Sequence, residues 1–199
     1  MPTINSWNSN IPVEISKGGT NATSMATSTG LVKYDGTRLI TSSTAKIDSN
    51  NVYTNTAQPC FRAYANLQSN VTGDGTEYTV IFANENFDQA NNFDATSTFT
   101  APVAGIYYFY VCLRLSGVTA SHTLSGIRIY KGANIQVNSV VNLAAIANAN
   151  AQASQFCETT LNLAAADTIT ARILVSGGTK VVNISANTEI SYFGGWLIC

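Results

Sequence analysis

The sequence predicts an all-β protein, a sandwich of about nine or ten short strands, which is the strand count of a jelly roll. Three observations carry that expectation. Beyond residue 58, β-branched and aromatic runs of strand length recur at short intervals, separated by Gly, Pro, Asn and Ser turns. The run after Gly105, Ile106 to Leu115, is too rich in such residues to read otherwise. From Thr168 to Val175, Ile169, Ala171, Ile173 and Val175 alternate with Thr168, Thr170, Arg172 and Leu174, the period of a strand with one face in a core.

The run from Phe99 to Leu115 is the centre of the pattern. Ala101-Pro102-Val103-Ala104-Gly105 is a turn signal, since Pro presets one dihedral and Gly supplies a permissive one. Successive strand side chains point to opposite faces. One set is therefore Tyr107, Phe109, Val111, Leu113 and Leu115, and the other Ile106, Tyr108, Tyr110, Cys112 and Arg114. The second set is too aromatic for a face that meets water. It is expected to lie against other subunits, together with Tyr192 and Trp196; the competing reading places the strand between two sheets of one chain.

Two domains are expected, an attachment or shaft segment over 1–55 and a head over 56–199. Residues 1–16 carry isolated apolar positions without a period. Asp35-Gly36 between Leu31-Val32-Lys33-Tyr34 and Thr37-Arg38-Leu39-Ile40 is a tight hairpin turn. One hairpin cannot stand alone, and a threefold bundle of identical chains would cover it; a disordered tail rich in Ser, Thr and Asn is the alternative. Asp48-Ser49-Asn50-Asn51 reads as the joint. In the head, strands are expected over Cys60–Gln68 and Glu77–Asn84, with Asn70–Gly75 as turn and Asn86–Asn92 as loop. Strands over Leu124–Lys131 and Ile135–Ile146 follow, joined by Lys131-Gly132-Ala133-Asn134. The Ala/Asn tract from Ala144 to Ala153 has helical propensity but reads as strand end and loop among so many short strands. Gln155–Leu163, Thr168–Val175, Val181–Ser185 and Ile190–Cys199 complete the set.

Composition excludes several function classes. Charged residues are 11% and the formal net charge is −1, which suits neither nucleic acid nor an acidic membrane surface. No apolar run approaches the ~20 residues of a membrane-spanning helix, and the first residues lack the pattern of a signal peptide. The single histidine, His122, allows no catalytic triad within one chain and reads as a surface residue. Asp74, Glu77, Glu85, Asp88 and Asp94 fall near expected loops without the pattern of a glycosidase pair. Asp88, Asn92 and Asp94 are candidates for a calcium site, weighed against plain solvated loop residues; no other cofactor is expected. Cys60, Cys112, Cys157 and Cys199 lack CxxC spacing, so zinc is not expected. Strand parity puts Cys112 and Cys157 on opposite faces, and free thiols are favoured over two disulfides.

Two resemblances sharpen this picture. Phe93-x5-Phe99-x5-Gly105-x-Tyr107-x-Phe109, with Phe82 and Asp88 upstream, resembles the signature of C1q-like domains, trimeric jelly rolls related to the tumour necrosis factor fold. Leu163 to Ile169 is similar to that family's Leu-x-x-Gly-Asp-x-Val turn, with Ala166 in place of the glycine. Phe193-Gly194-Gly195-Trp196-Leu197 resembles its closing strand. Near the N-terminus, Lys17-Gly18-Gly19-Thr20 followed by Gly30 to Leu39 resembles the Gly-Gly-Thr segments of bacteriophage tail fibres.

Together the resemblances imply a homotrimeric receptor-binding protein at the tip of a virion appendage, located in the virion and not an enzyme. Tyr108, Tyr110, Tyr192 and Trp196 would form the trimer interface. A host cell-surface glycan or protein would be bound by apical loops whose residues the sequence leaves unknown, and a tail or capsid protein would hold the N-terminal segment. The alternatives are a structural trimerisation or capping module and, third, an enzyme degrading surface polysaccharide.

Overall fold

The computed structural model describes residues 30–34, 36–37, 39–47, 50–186 and 190–199. The Gly-Gly-Thr segment, the Asp35 position of the hairpin turn and the first half of the expected joint lie outside the described residues. The chain divides into two compact units between Ala57 and Gln58.

In the first unit, β1 (Gly30–Tyr34), β2 (Leu39–Ile47) and β3 (Tyr53–Asn55) form a three-stranded antiparallel sheet in chain order. The second unit is a sandwich of two antiparallel sheets. Its strands are β4 (Cys60–Tyr64), β5 (Gln68–Thr72), β6 (Glu77–Thr79), β7 (Asn84–Gln89), β8 (Phe99–Thr100), β9 (Gly105–Ser116), β10 (Leu124–Lys131), β11 (Asn134–Val141), β12 (Gln152–Leu163), β13 (Thr168–Ser176), β14 (Val182–Ile184) and β15 (Tyr192–Leu197), with one helical turn, α1 (Leu143–Ile146). One sheet runs β5-β14-β9-β15-β4-β7 with β12 on the other side of β9; the opposing sheet runs β11-β10-β13-β6 with β8 also on β13.

The central strand is where the sequence places it. On β9, Tyr107, Phe109, Val111, Leu113 and Leu115 are fully buried, and the intervening residues are half-buried. β13 alternates the same way, burying Ile169, Ala171, Ile173 and Val175. Between the sheets, the phenylalanines of the family-like signature converge. Phe61 stacks on Phe93 and Phe99 at centroid distances of 4.5 and 5.2 Å, and meets Phe193 edge-on at 5.1 Å. Phe82 and Phe109 complete this cluster against Phe193. The signature spacing therefore marks the residues that fill one core, where offset and edge-on ring pairs are favoured. Asp88 belongs to the same design: its Oδ2 accepts the Phe93 backbone N–H at 2.8 Å and fixes the loop that delivers Phe93 inward.

Several expected boundaries are corrected. The stretch Cys60–Gln68 is not one strand: β4 ends at Tyr64, and β5 begins at Gln68 and occupies part of the expected turn. Glu77–Asn84 keeps strand geometry only to Thr79, because Val80 and Phe82 cross between the sheets, their N–H groups bonding Ala171 O and Ser97 Oγ. Asn84–Gln89, much of it expected as loop, is an edge strand on β4. The strand expected to run to Ile146 stops at Val141, and α1 follows with Asn142 as its N-cap. Helical propensity wins locally there, since the Asn142 side chain accepts the Ala145 N–H.

All four cysteines are free. Cys157 is buried and lies opposite Val111, whereas Cys112 lies opposite Phe156 on the outer face, as strand parity requires.

Candidate functional site

Two surfaces of the head stand out, an aromatic face on the outside of one sheet and a cluster of loops at one end. The aromatic face is built by register. β15 pairs with β9 so that Tyr192 faces Cys112, Gly194 faces Tyr110 and Trp196 faces Tyr108. Directly opposite residues share a face, so Tyr108, Tyr110, Tyr192 and Trp196 pave one surface. Ring centroids lie 4.6 Å apart for Tyr108–Trp196, 5.9 Å for Tyr110–Tyr192 and 6.0 Å for Tyr110–Trp196. The Arg62 guanidinium, on β4, sits 4.5 Å over the Tyr192 ring.

Gly194 is what lets the rings close up. A Cβ there would stand 2.4 Å from the Tyr110 hydroxyl oxygen, so Tyr110 lies flat across the strand only because the side chain is absent. The paving extends to both sides, with Phe87 opposite Arg62 and Phe156 opposite Cys112. Trp196, Phe156 and Phe87 are 42%, 45% and 49% exposed. Such a contiguous aromatic surface exceeds the scattered apolar residues normal on a monomer.

Electrostatics on this face is sparse. The Tyr108 hydroxyl donates to Glu158 Oε2 on β12, and that bond, with burial added, pushes Tyr108 up to about 12. Burial also raises Tyr110, Tyr192 and Cys112 above their ordinary values. The face is therefore neutral at physiological pH apart from Arg62, Arg114 and Glu158.

The loop cluster lies at the end of the sandwich opposite to the one where the chain enters. At the entrance, Gln58 Nε2 donates to Leu197 O at 2.9 Å and the Leu197 N–H bonds Pro59 O. The far end gathers the loops 73–76, 117–123, 142–151 and 177–181. His122 holds them together and is fully buried, which corrects the expectation of a surface residue. Its Nδ1 accepts the Thr119 N–H at 2.9 Å, and its Nε2–H donates to Thr179 O at 3.0 Å, a pairing that specifies the tautomer. Its backbone O accepts the Ala144 N–H of α1, and Gly178 packs directly on the ring. Nothing in Ser121-His122-Thr123 signals this burial, because it depends on loops distant in sequence.

Of the acidic residues considered for metal or catalysis, Asp94 and Glu77 are engaged within the fold, whereas Asp88 Oδ1 and the neighbouring Asn92 Nδ2 are buried without a hydrogen-bond partner. Asp94 Oδ1 accepts from Thr96 N–H, Thr96 hydroxyl and Thr98 N–H. Glu77 bridges Arg128 and Arg172 and accepts the Tyr130 hydroxyl. Among the described residues no group of three or more His, Cys, Asp or Glu side chains is placed to hold a metal ion.

Comparison with known proteins agrees with this architecture. The C1q domain family model matches residues 61–198. No curated protein sequence matches the chain. Among solved structures, Eiger TNF from S. frugiperda is similar with a TM-score of 0.54 and 14% identity, over 72% of this chain and 94% of that one. Murine APRIL at pH 8.5 gives 0.50 and 14%, over 71% and 99%. The globular domain of zebrafish complement 1qA gives 0.49 and 17%, over 71% and 98%.

Proposed function

The chain belongs to the C1q domain family, and from that premise we propose that it is a homotrimeric receptor-binding protein at the tip of a virion appendage, a phage tail fibre that attaches to the host cell surface. Domains of this kind form homotrimers, bind receptors and are typically not enzymes. The observation that carries the trimer in this chain is the aromatic face. A closed threefold arrangement buries the same patch in every copy and leaves no open end. Tyr108, Tyr110, Tyr192 and Trp196 are the interface residues under this reading.

The virion role draws on the N-terminal segment, whose residues from Lys17 to Leu39 resemble tail-fibre segments and would attach to a tail or capsid protein. This reading places the receptor side at the loops around His122, at the end of the sandwich opposite Gln58. Those loops, 117–123, 142–151 and 177–181, hold no Tyr, Trp, Phe or Arg, the residues that dominate tight protein interfaces. They offer Ser, Thr and Asn groups instead, which suits weak hydrogen bonding to a surface glycan, multiplied by three copies into avidity.

The test is binding of the purified protein to whole host cells, with surface polysaccharide measured before and after. Saturable binding, lost when Thr179 and Asn150 are both changed to Lys, with polysaccharide intact, is the expected result. Absence of binding supports a trimerisation or capping module instead, and loss of polysaccharide supports an enzyme.

A further inference from the structure

The loops around His122 lack arginine, but β9 supplies one beside them. Arg114 belongs to the outer-face set of β9, half-buried and opposite Ser154 on β12. Its backbone is held on both sides: the N–H donates to Ser191 Oγ at 3.1 Å, and the carbonyl oxygen accepts the Ser185 N–H at 2.8 Å. The side chain runs toward the start of β12, where Nη2 donates to Gln152 Oε1 at 2.9 Å. Gln152 is fixed in turn, since its N–H donates to Asn148 Oδ1 at 3.1 Å and its carbonyl oxygen accepts the Asn148 N–H at 2.8 Å. The guanidinium is thus placed by a neutral amide. Among the described residues no carboxylate pairs with it. A cavity of about 170 Å³ opens here, lined by Arg114, Ile146, Asn148, Gln152, Ala153 and Ser154. Its polar lining is rich in donors and holds no acid. Asn148 Oδ1 is occupied by the N–H groups of Asn150 and Gln152, which leaves its amide NH2 as the unengaged end. Ser154 is exposed and adds a hydroxyl, while Ile146, 49% exposed, and Ala153 make an apolar wall.

We propose that this cavity binds the carboxylate of an acidic sugar, so that the surface ligand of the head is an acidic glycan. The proposal rests on the receptor reading of the neighbouring loops and gives its ligand a chemical class. Arginine offers a planar fork of N–H groups that matches a carboxylate, and Gln152 engages only one of its five donors. A single guanidinium balances one negative charge, whereas a phosphate monoester, at about −1.5 to −2, exceeds it. The volume is below the ~300–1,000 Å³ of pockets that enclose a drug-sized ligand. The site therefore seats one charged sugar of a longer chain, and three copies turn weak single contacts into avidity.

Saturation-transfer NMR on the full chain tests this, with glucuronic acid, N-acetylneuraminic acid, glucose 6-sulfate and glucose as probes. Transfer to at least one of the two carboxylate sugars, and none to glucose, is the expected result. Arg114→Gln should weaken that binding at least about tenfold. Ser154→Asp puts a carboxylate on the exposed rim of the cavity and should abolish it, with the mass in solution and the circular dichroism unchanged. No transfer to either acid, equal transfer to glucose, transfer to glucose 6-sulfate alone, or binding that survives both substitutions overturns the proposal. Whole-cell binding separates this failure from that of the receptor reading. Cells bound by a protein that takes neither acid overturn the acidic ligand and leave attachment standing. An acid held through Arg114 without any binding to cells supports the site and removes host attachment.

Discussion

Ala166 sits at φ 70°, in the left-handed region that disfavours a Cβ. Its turn is otherwise well held: Asp167 Oδ2 accepts the Ala164 N–H at 2.7 Å and pairs with Lys131 Nζ at 2.6 Å, and the Ala166 N–H bonds Ala101 O. Ala166→Gly should therefore stabilise the head by about 1 kcal/mol, read as a rise in Tm. His122 makes the opposite case. His122→Ala leaves the Thr119 N–H without its acceptor, takes one of two donors from Thr179 O, which keeps the Val181 N–H, and opens a cavity, so a loss of about 3 kcal/mol is expected in denaturant unfolding. The same change should loosen loops 117–123 and 177–181 and weaken cell binding before it dissociates the trimer. Tyr108 gives a pH signature. Its hydroxyl is raised to about 12 by its bond to Glu158, then by burial. The stability it contributes is present below the ordinary tyrosine value of 10 and is lost as pH rises from there toward 12. Several tyrosines are raised, and ultraviolet titration should lose its latest phenolate step in Tyr108→Phe.

At the scale of elements, the pairing of β9 with β15 decides the aromatic face. Gly194→Ala forces a Cβ against the Tyr110 ring and the Phe61 carbonyl oxygen at 2.9 Å. A cost of about 1–3 kcal/mol is expected for this overpacking, with the larger effect on assembly, measured as subunit dissociation on dilution. Much of this was legible in the sequence. On β9 and β13 a fully buried set alternates with a half-buried one, and such a pattern survives any packing detail. The four aromatics of the outer face follow from the same parity count. The polar edge strand β7 was not legible, since Asn84-Glu85-Asn86-Phe87-Asp88-Gln89 has no apolar alternation and is a strand only through its ladder with β4. Val80 to Phe82 misleads in the other direction, apolar because the segment passes through the core between sheets. The buried His122 and the α1 turn belong to this class too: their environment is assembled by loops that adjacent residues do not announce.

For the whole molecule, chain direction and symmetry organise the account. Within the head, Gln58 bonds Leu197 at one end of the sandwich, and the loops around His122 lie at the other. The outer face is mostly aromatic, with Tyr108, Tyr110, Tyr192 and Trp196 in ring contact, so association through it should rest on apolar and aromatic contact, and added salt should not dissociate the assembly. The central claim is that these contacts close a trimer. The most direct measurement is the mass of the purified chain in solution by light scattering at micromolar concentration. The account predicts a stable species of three times the 21.1 kDa chain mass, converted to smaller species by Tyr110→Asp, which puts a charge in the buried face. A stable, monodisperse monomer would contradict it.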